Sequence, residues 1–225
     1  MKISGAIFDM DGTLINSLHF WEGYFSEIGQ KYLSDPNFIP DYKILKQMRT
    51  ATIGDGQRLL HERYGFGADS EELVNFAYEK CEYFYRNIVT VKDGVIEFLD
   101  FLKEKNVPMC IASATERRLL EIAVERFGFD RYFPIVVSCS DVGCGKERPD
   151  VFLRAREILG SSLDSTFVFE DSIVAIETSV KAGFRTVGIY DQRGIEHDKM
   201  EKLSDYYIAS GHTMAELISR IEIVK

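Results

Sequence analysis

Ile3-Ser4-Gly5-Ala6-Ile7-Phe8-Asp9-Met10-Asp11-Gly12-Thr13-Leu14 joins a short apolar run to two carboxylates spaced two residues apart and a glycine. The apolar run, 3–8, reads as a strand buried on both faces, the pattern of a parallel sheet. Asp9 and Asp11 then emerge near the carboxyl end of that strand, and Gly12 lets the chain turn tightly behind them. Open α/β sheets bind ligands at this edge, above all where the strand order reverses. An acidic turn is the plain alternative for an isolated pair.

Working outward, further short apolar runs lie at 107–113, 135–138, 166–170 and 185–190, and a final edge strand is expected at Tyr206–Ala209. Between the later runs, 94–105, 116–127, 150–159 and 173–182 carry apolar residues at helical spacing, such as Leu119, Leu120, Ala123, Val124 and Phe127. A last helix is expected near 213–222. Strand and helix in alternation predict a doubly wound α/β fold with a mostly parallel, Rossmann-like sheet. Residues 16–90 break the rhythm. Leu18, Trp21, Phe25 and Ile28 mark one helical face, and helices are expected near 41–49, 56–64 and 70–87. The expectation is a core of 1–15 and 91–225 with a small all-helical cap, 16–90, inserted after the first strand. The crossings near Ile15–Ser17 and Val89–Asp93 would form a hinge.

A second acidic pair, Glu170-Asp171, ends the run 166–170. If its strand neighbours the first, four carboxylates meet at one point of the sheet edge. Like charges so close raise one another's pKa unless something positive intervenes. A hard divalent cation with oxygen ligands resolves this, and Mg²⁺ suits carboxylates, water and phosphate together. Ser113, with Ala114 and Thr115 behind it, ends another run and places a hydroxyl and backbone N–H groups where an anion fits. Either hydroxyl also serves as a helix cap. Lys146 lies after a strand on the same edge, shortly before Pro149 opens a helix.

The chain has 225 residues, 45% apolar and 28% charged, enough to bury a substantial core. Its 27 basic and 36 acidic residues give a formal charge of −9. That balance argues against nucleic acid or an anionic membrane as the partner, though not against a small anion at a local site. No run approaches the roughly 18–20 apolar residues of a membrane span, and the first apolar run is too short for a secretory signal. The four cysteines lack CxxC spacing and read as reduced thiols. A cytoplasmic monomer is the expectation.

Taken together, Asp9-Met10-Asp11-Gly12-Thr13, Ser113, Lys146 and Glu170-Asp171 resemble, in order and approximate spacing, the haloacid dehalogenase superfamily. The likeness is to its helical-cap phosphatases and β-phosphoglucomutase-like members, and Ala182-Gly183 fits it too. It implies a Mg²⁺-dependent phosphatase of a small phosphorylated metabolite. Asp9 would be the nucleophile and form an aspartyl-phosphate, and Asp11 would be the general acid and base. The metal would be held by Asp9, the Asp11 carbonyl, Asp171 and Glu170. Ser113, the Ala114 N–H and Lys146 would hold the phosphoryl oxygens. Asn16, Asp93-Gly94, Glu147-Arg148 and Val174 depart from common family choices without removing a chemical group.

The cap is expected to choose the substrate, through Asn16, Ser17, His19, Trp21, Arg49, Thr50 and Thr52. For Trp21, packing within the cap is an equal alternative, and Tyr78, Tyr83, Phe84 and Tyr85 read as a helical core stripe. A sugar phosphomutase is the alternative activity. In such relatives the cap supplies a histidine and an arginine, which here fall at Trp21 and near Ile53, with Arg49 four residues earlier. A non-catalytic phosphate-binding or signalling module is a third reading.

Overall fold

Six strands form one parallel sheet in the computed structural model, which describes residues 1–48 and 51–224. They are β2 (Gly5–Phe8), β3 (Met109–Ser113), β4 (Val136–Ser138), β5 (Thr166–Glu170), β6 (Arg185–Ile189) and β7 (Tyr206–Ile208). Their order is β4-β3-β2-β5-β6-β7. The chain leaves β2, builds outward through β3 and β4, then returns to the other flank of β2 with β5. The strand order therefore reverses between β2 and β5, where an open sheet splits its loops to leave a crevice.

Alternation within β2 explains why these strands are apolar throughout. Phe8 turns to one face, where its ring stacks on Phe169 at 4.4 Å and meets Phe133 edge-on at 5.7 Å. Ile7 turns to the other, with Val168, Cys110, Ala112 and Phe152. Helices α5 (Val95–Glu104) and α6 (Arg117–Phe127) cover the first face, and α8 (Asp150–Leu159) and α9 (Ile173–Lys181) contribute to the second. With both faces dry, a polar side chain has no comfortable place along the strands, and the charged groups collect at their ends. The cysteines are all free, and Cys81, Cys110 and Cys139 are buried.

Residues 16–90 contain no strand among the described residues. They form α1 (Phe20–Leu33), α2 (Tyr42–Met48), α3 (Ile53–Tyr64) and α4 (Ser70–Asn87) around a separate cluster of Tyr24, Phe25, Ile28, Ile44, Leu60, Phe66, Leu73 and Ala77. Thr52 caps α3 by accepting from the Asp55 N–H at 3.1 Å, and Asp69 caps α4 by accepting from the Glu72 N–H at 2.8 Å. The two crossings run side by side: Asn16 N donates to Thr90 O at 2.8 Å and Lys92 N to Leu14 O at 3.0 Å.

Four elements differ from the sequence expectation. The first run is broken at Ser4, which pairs with Ser165 through both its backbone and its hydroxyl. Ahead of it, β1 (Lys2–Ile3) pairs instead with β8 (Glu222–Ile223) in a small parallel ribbon. Two short helices, α7 (Cys139–Val142) and α10 (His197–Leu203), were not legible. Four residues are too few for periodicity to register, although the Ser138/Asp141 capping box announces α7. The helix expected near 213–222 is a 3-10 turn over Met214–Arg220 that ends where Ile221 becomes extended and feeds β8.

Candidate active site

Parallel register brings the two acidic pairs together. Phe8 pairs with Phe169, and the Asp9 N–H continues the ladder onto Phe169 O at 3.0 Å, so Asp9 stands beside Glu170. Gly12 follows in the left-handed region at φ +77°, and a side chain there would start 2.6 Å from the Asp171 carboxyl group. The glycine thus serves both the turn and the close approach of the second acidic strand. Thr13 Oγ1 donates to Asp171 Oδ1 at 3.1 Å.

Lys146 reaches into this cluster from the loop before α8. Its Nζ donates to Asp9 Oδ1 and, at 2.5 Å, to Glu170 Oε1. The other Glu170 oxygen, Oε2, accepts from the Ser172 N–H at 2.8 Å. Asp9, Lys146, Glu170 and Asp171 are all buried. Burial pushes the Asp9 carboxyl well above its ordinary range, Lys146 pulls it back, and Glu170, Asp171 and Asp11 push it up again. Burial and then Glu170 push Asp171 up to about 7. For Lys146 burial disfavours the charge, but Asp9 and Glu170 outweigh it and hold the ammonium protonated. Asp9, Glu170 and Asp171 offer oxygens within 4.8 Å of one another. Were all three ionised, they would outnumber the one ammonium, and an all-oxygen set of this kind suits a hard divalent cation that favours their ionised form.

Asp11 points elsewhere. Its Oδ1 accepts from the Tyr85 hydroxyl and its Oδ2 from Thr115 Oγ1 at 2.6 Å. Burial, and then Asp11 itself, raise the Tyr85 phenol well above its usual pKa and keep it a donor. Ser113, at the end of β3, accepts from the Thr115 N–H at 3.1 Å. Reading Tyr85 as part of a core stripe therefore missed half of its role. The ring packs in the main core while the hydroxyl crosses from the last turn of α4 to the sheet edge. Its place in that last turn, next to the second crossing, was the only available signal.

These groups form the floor of a cleft of about 740 Å³ whose roof comes from the helices. Asp9, Asp11, Ser113, Ala114, Lys146, Glu170 and Asp171 all line it, as do Ser17 and Trp21. The Ser17 hydroxyl is buried with no hydrogen-bond partner. Asn16, His19 and Thr52 do not line the cleft. Asn16 Nδ2 bonds Thr90 Oγ1 at 3.2 Å between the crossings, His19 meets Phe84 edge-on at 5.1 Å, and Thr52 caps α3. Arg49 and Thr50 lie outside the described residues. The sequence reading missed the loop after β6, of which Gln192, Arg193, Gly194 and Ile195 reach the cleft. Arg193 forms a two-bond fork with Glu22 of α1, 3.0 Å on each arm. Asp191, two residues earlier, holds Lys92 of the second crossing at 3.0 Å.

A crevice at the strand-order reversal, lined by two acidic pairs, a lysine and a hydroxyl, defines a hydrolase site of a recognised class. The family model of haloacid dehalogenase-like hydrolases matches residues 3–183, and the chain belongs to that family. It is similar to pyrophosphatase PpaX of Bacillus mycoides, at 25% identity over 98% of this chain and 99% of the relative. It is also similar to the phosphorylated carbohydrates phosphatase of Thermotoga maritima, at 23% identity over 82% of this chain and 84% of the relative. In fold it matches CbbY from Rhodobacter sphaeroides, solved in complex with phosphate, with a TM-score of 0.77 at 16% identity over 96% of each chain.

Proposed function

We propose that the protein is a Mg²⁺-dependent phosphatase of a small phosphorylated metabolite, with residues 16–90 acting as a cap over a core of 1–15 and 91–225. The observation that carries this reading is the buried convergence of Asp9, Glu170 and Asp171, the first two bonded to Lys146. The relatives named above, a pyrophosphatase and a carbohydrate phosphatase, support the phosphoryl chemistry.

Asp9 is the nucleophile. Its carboxylate attacks phosphorus, the ester P–O bond breaks, and Asp11 passes a proton to the departing oxygen. Before doing so Asp11 must carry that proton, so it gives up one of the two hydroxyl bonds it now accepts from Tyr85 and Thr115. Water then attacks the aspartyl-phosphate, Asp11 takes the water's proton, and the bond between phosphorus and Asp9 breaks to release inorganic phosphate. Ser113, the Ala114 N–H and Lys146 hold the phosphoryl oxygens and offset their charge. Asp9, Glu170, Asp171 and the Asp11 carbonyl would hold Mg²⁺, which neutralises charge on the phosphoryl group when bound.

Hydrolysis is favoured over transfer back to a sugar. Trp21 and Ile53, at the positions where mutase relatives carry a cap histidine and arginine, are apolar and line the cleft. The test measures phosphate released from a panel of phosphorylated metabolites, with Mg²⁺ and with chelator. Mg²⁺-dependent release that vanishes in a folded Asp9→Asn variant is expected. Isomerisation outpacing phosphate release on β-glucose 1-phosphate would overturn the phosphatase assignment.

A further inference from the structure

The roof of the cleft differs in chemistry from its floor. Trp21 and Phe25 stack one turn apart on α1, centroids 6.0 Å apart. Ile39, Met48 and Ile53 line the cleft from the rest of the helical part, and Ile195 from the loop after β6. Ile39 is 69% exposed, so apolar surface stands open at the mouth instead of being packed away. Surface of this kind, continuous with a set of reacting carboxylates, is shaped for the part of a substrate that does not react.

Among the described residues the cations that line the cleft are Lys46, which is exposed, and Lys146 and Arg193, which are already engaged. Lys146 is bound to Asp9 and Glu170, and Arg193 is forked onto Glu22. A second phosphate on the substrate would find these two neutralised. A polyol would leave the ring and methyl faces of the roof uncovered, its hydroxyls finding partners only at the scattered polar groups of the lining, such as Ser17, Asn37 and Gln192.

Resting on the phosphatase reading above, we propose that the substrate is a phosphomonoester whose alcohol carries a flat apolar body, an aryl or aryl-alkyl group. That body packs under Trp21 and Phe25 while the phosphate sits on Asp9. Neither pyrophosphate nor a polyol phosphate meets this description.

Two alkyl esters test it without favouring the better leaving group: 2-phenylethyl phosphate and glycerol 3-phosphate, with pyrophosphate as a third substrate, all with Mg²⁺. The phenylethyl ester is expected to show a kcat/KM at least about tenfold above the glycerol ester, the scale on which an apolar pocket discriminates. Trp21→Ala is expected to shrink that ratio severalfold, a readout internal to one protein preparation and so insensitive to partial misfolding. A second readout does not depend on turnover. Trp21 is the chain's only tryptophan, so in the Asp9→Asn protein with Mg²⁺ its emission reports occupancy of the roof directly.

The phenylethyl ester is expected to change that emission at concentrations where glycerol 3-phosphate does not. If no ester is hydrolysed but the emission still responds selectively, the phosphatase reading falls and the assignment of the cleft stands. Equal or inverted preference between the esters, or pyrophosphate as the best substrate, overturns the proposal while leaving a phosphatase in place. An emission that ignores the phenylethyl ester also overturns it.

Discussion

On the floor of the cleft, buried Lys146 donates to both Asp9 and Glu170, themselves buried, with Asp171 beside them. On the roof, Phe20, Trp21, Tyr24 and Phe25 pack ring against ring with centroids 5.1 to 6.0 Å apart. The floor is held by a balance of charge, and its raised carboxyl pKa values show that the fold opposes ionisation there. The roof is held by area removed from water, which is indifferent to charge. Activity and stability should therefore respond oppositely to changes in the two regions.

The largest effect belongs to Asp9→Asn, which keeps the shape and removes the nucleophile. Turnover should fall on the order of 10⁴-fold or more. Without metal the variant should melt no lower than the wild type, because the amide replaces a carboxyl whose ionisation the fold opposes. A folded variant retaining appreciable phosphatase activity breaks the assignment. Asp11→Asn should cost roughly 10²–10⁴-fold by loss of proton transfer, most severely on esters with poor leaving groups. A variant indifferent to the leaving group would show that Asp11 is not the acid.

The roof supplies the contrast. Phe25→Ala removes a buried ring and should destabilise by about 3 kcal/mol, read by denaturant unfolding, while leaving the metal response intact. If Phe25→Ala abolishes the metal response instead, floor and roof are not separable.

Metal comes next. A cation that binds only the native floor should stabilise by about 2.7 kcal/mol at a hundredfold excess over its dissociation constant, and Asp171→Ala should remove most of that gain. The pH dependence has a definite sign. In chelator the Asp171 carboxyl keeps its proton up to about pH 7 in the fold but loses it near about 3.9 in the unfolded chain. The native state therefore binds more protons across that window, and apo stability should decline as pH rises through it. Melting curves in chelator that rise from pH 4 to 7 contradict this. The smallest effect is that of Tyr85→Phe, which deletes one hydroxyl bond to Asp11 and should cost about 1 kcal/mol, seen as a few-fold change in kcat.

Much of the floor is legible in the sequence because strand ends are rigid. Once 3–8 and 166–170 are parallel neighbours, the residues that follow each are forced together. The bonds from Tyr85 and Thr115 to Asp11 were not legible, since they join positions 74 and 104 residues apart through the docking of α4 and α6. On α1 the periodicity of Trp21, Phe25 and Ile28 gave the helix and its apolar face. It did not say that Ile28 is sealed inside while Trp21 is left half-buried over the cleft. Ser4 shows the same limit, since only its partner Ser165 reveals why the first strand breaks there.

The loop after β6 grips the molecule at two places, Asp191 on Lys92 of the second crossing and Arg193 on Glu22 of α1. If the helices swing about the crossings, Arg193–Glu22 is the contact that such a motion strains, and dissolved salt affects the two contacts unequally. The Lys92–Asp191 side chains are 14% and 10% exposed, whereas those of Arg193 and Glu22 are 33% and 64% exposed. An exposed pair of this kind is worth only about 0–1 kcal/mol, and counter-ions screen it over roughly 8 Å at physiological strength. Ionic strength would thus loosen the clasp over the cleft and leave the pivot unchanged. Salt would quicken turnover where product escape is slow and hinder it where capture of the ester is slow.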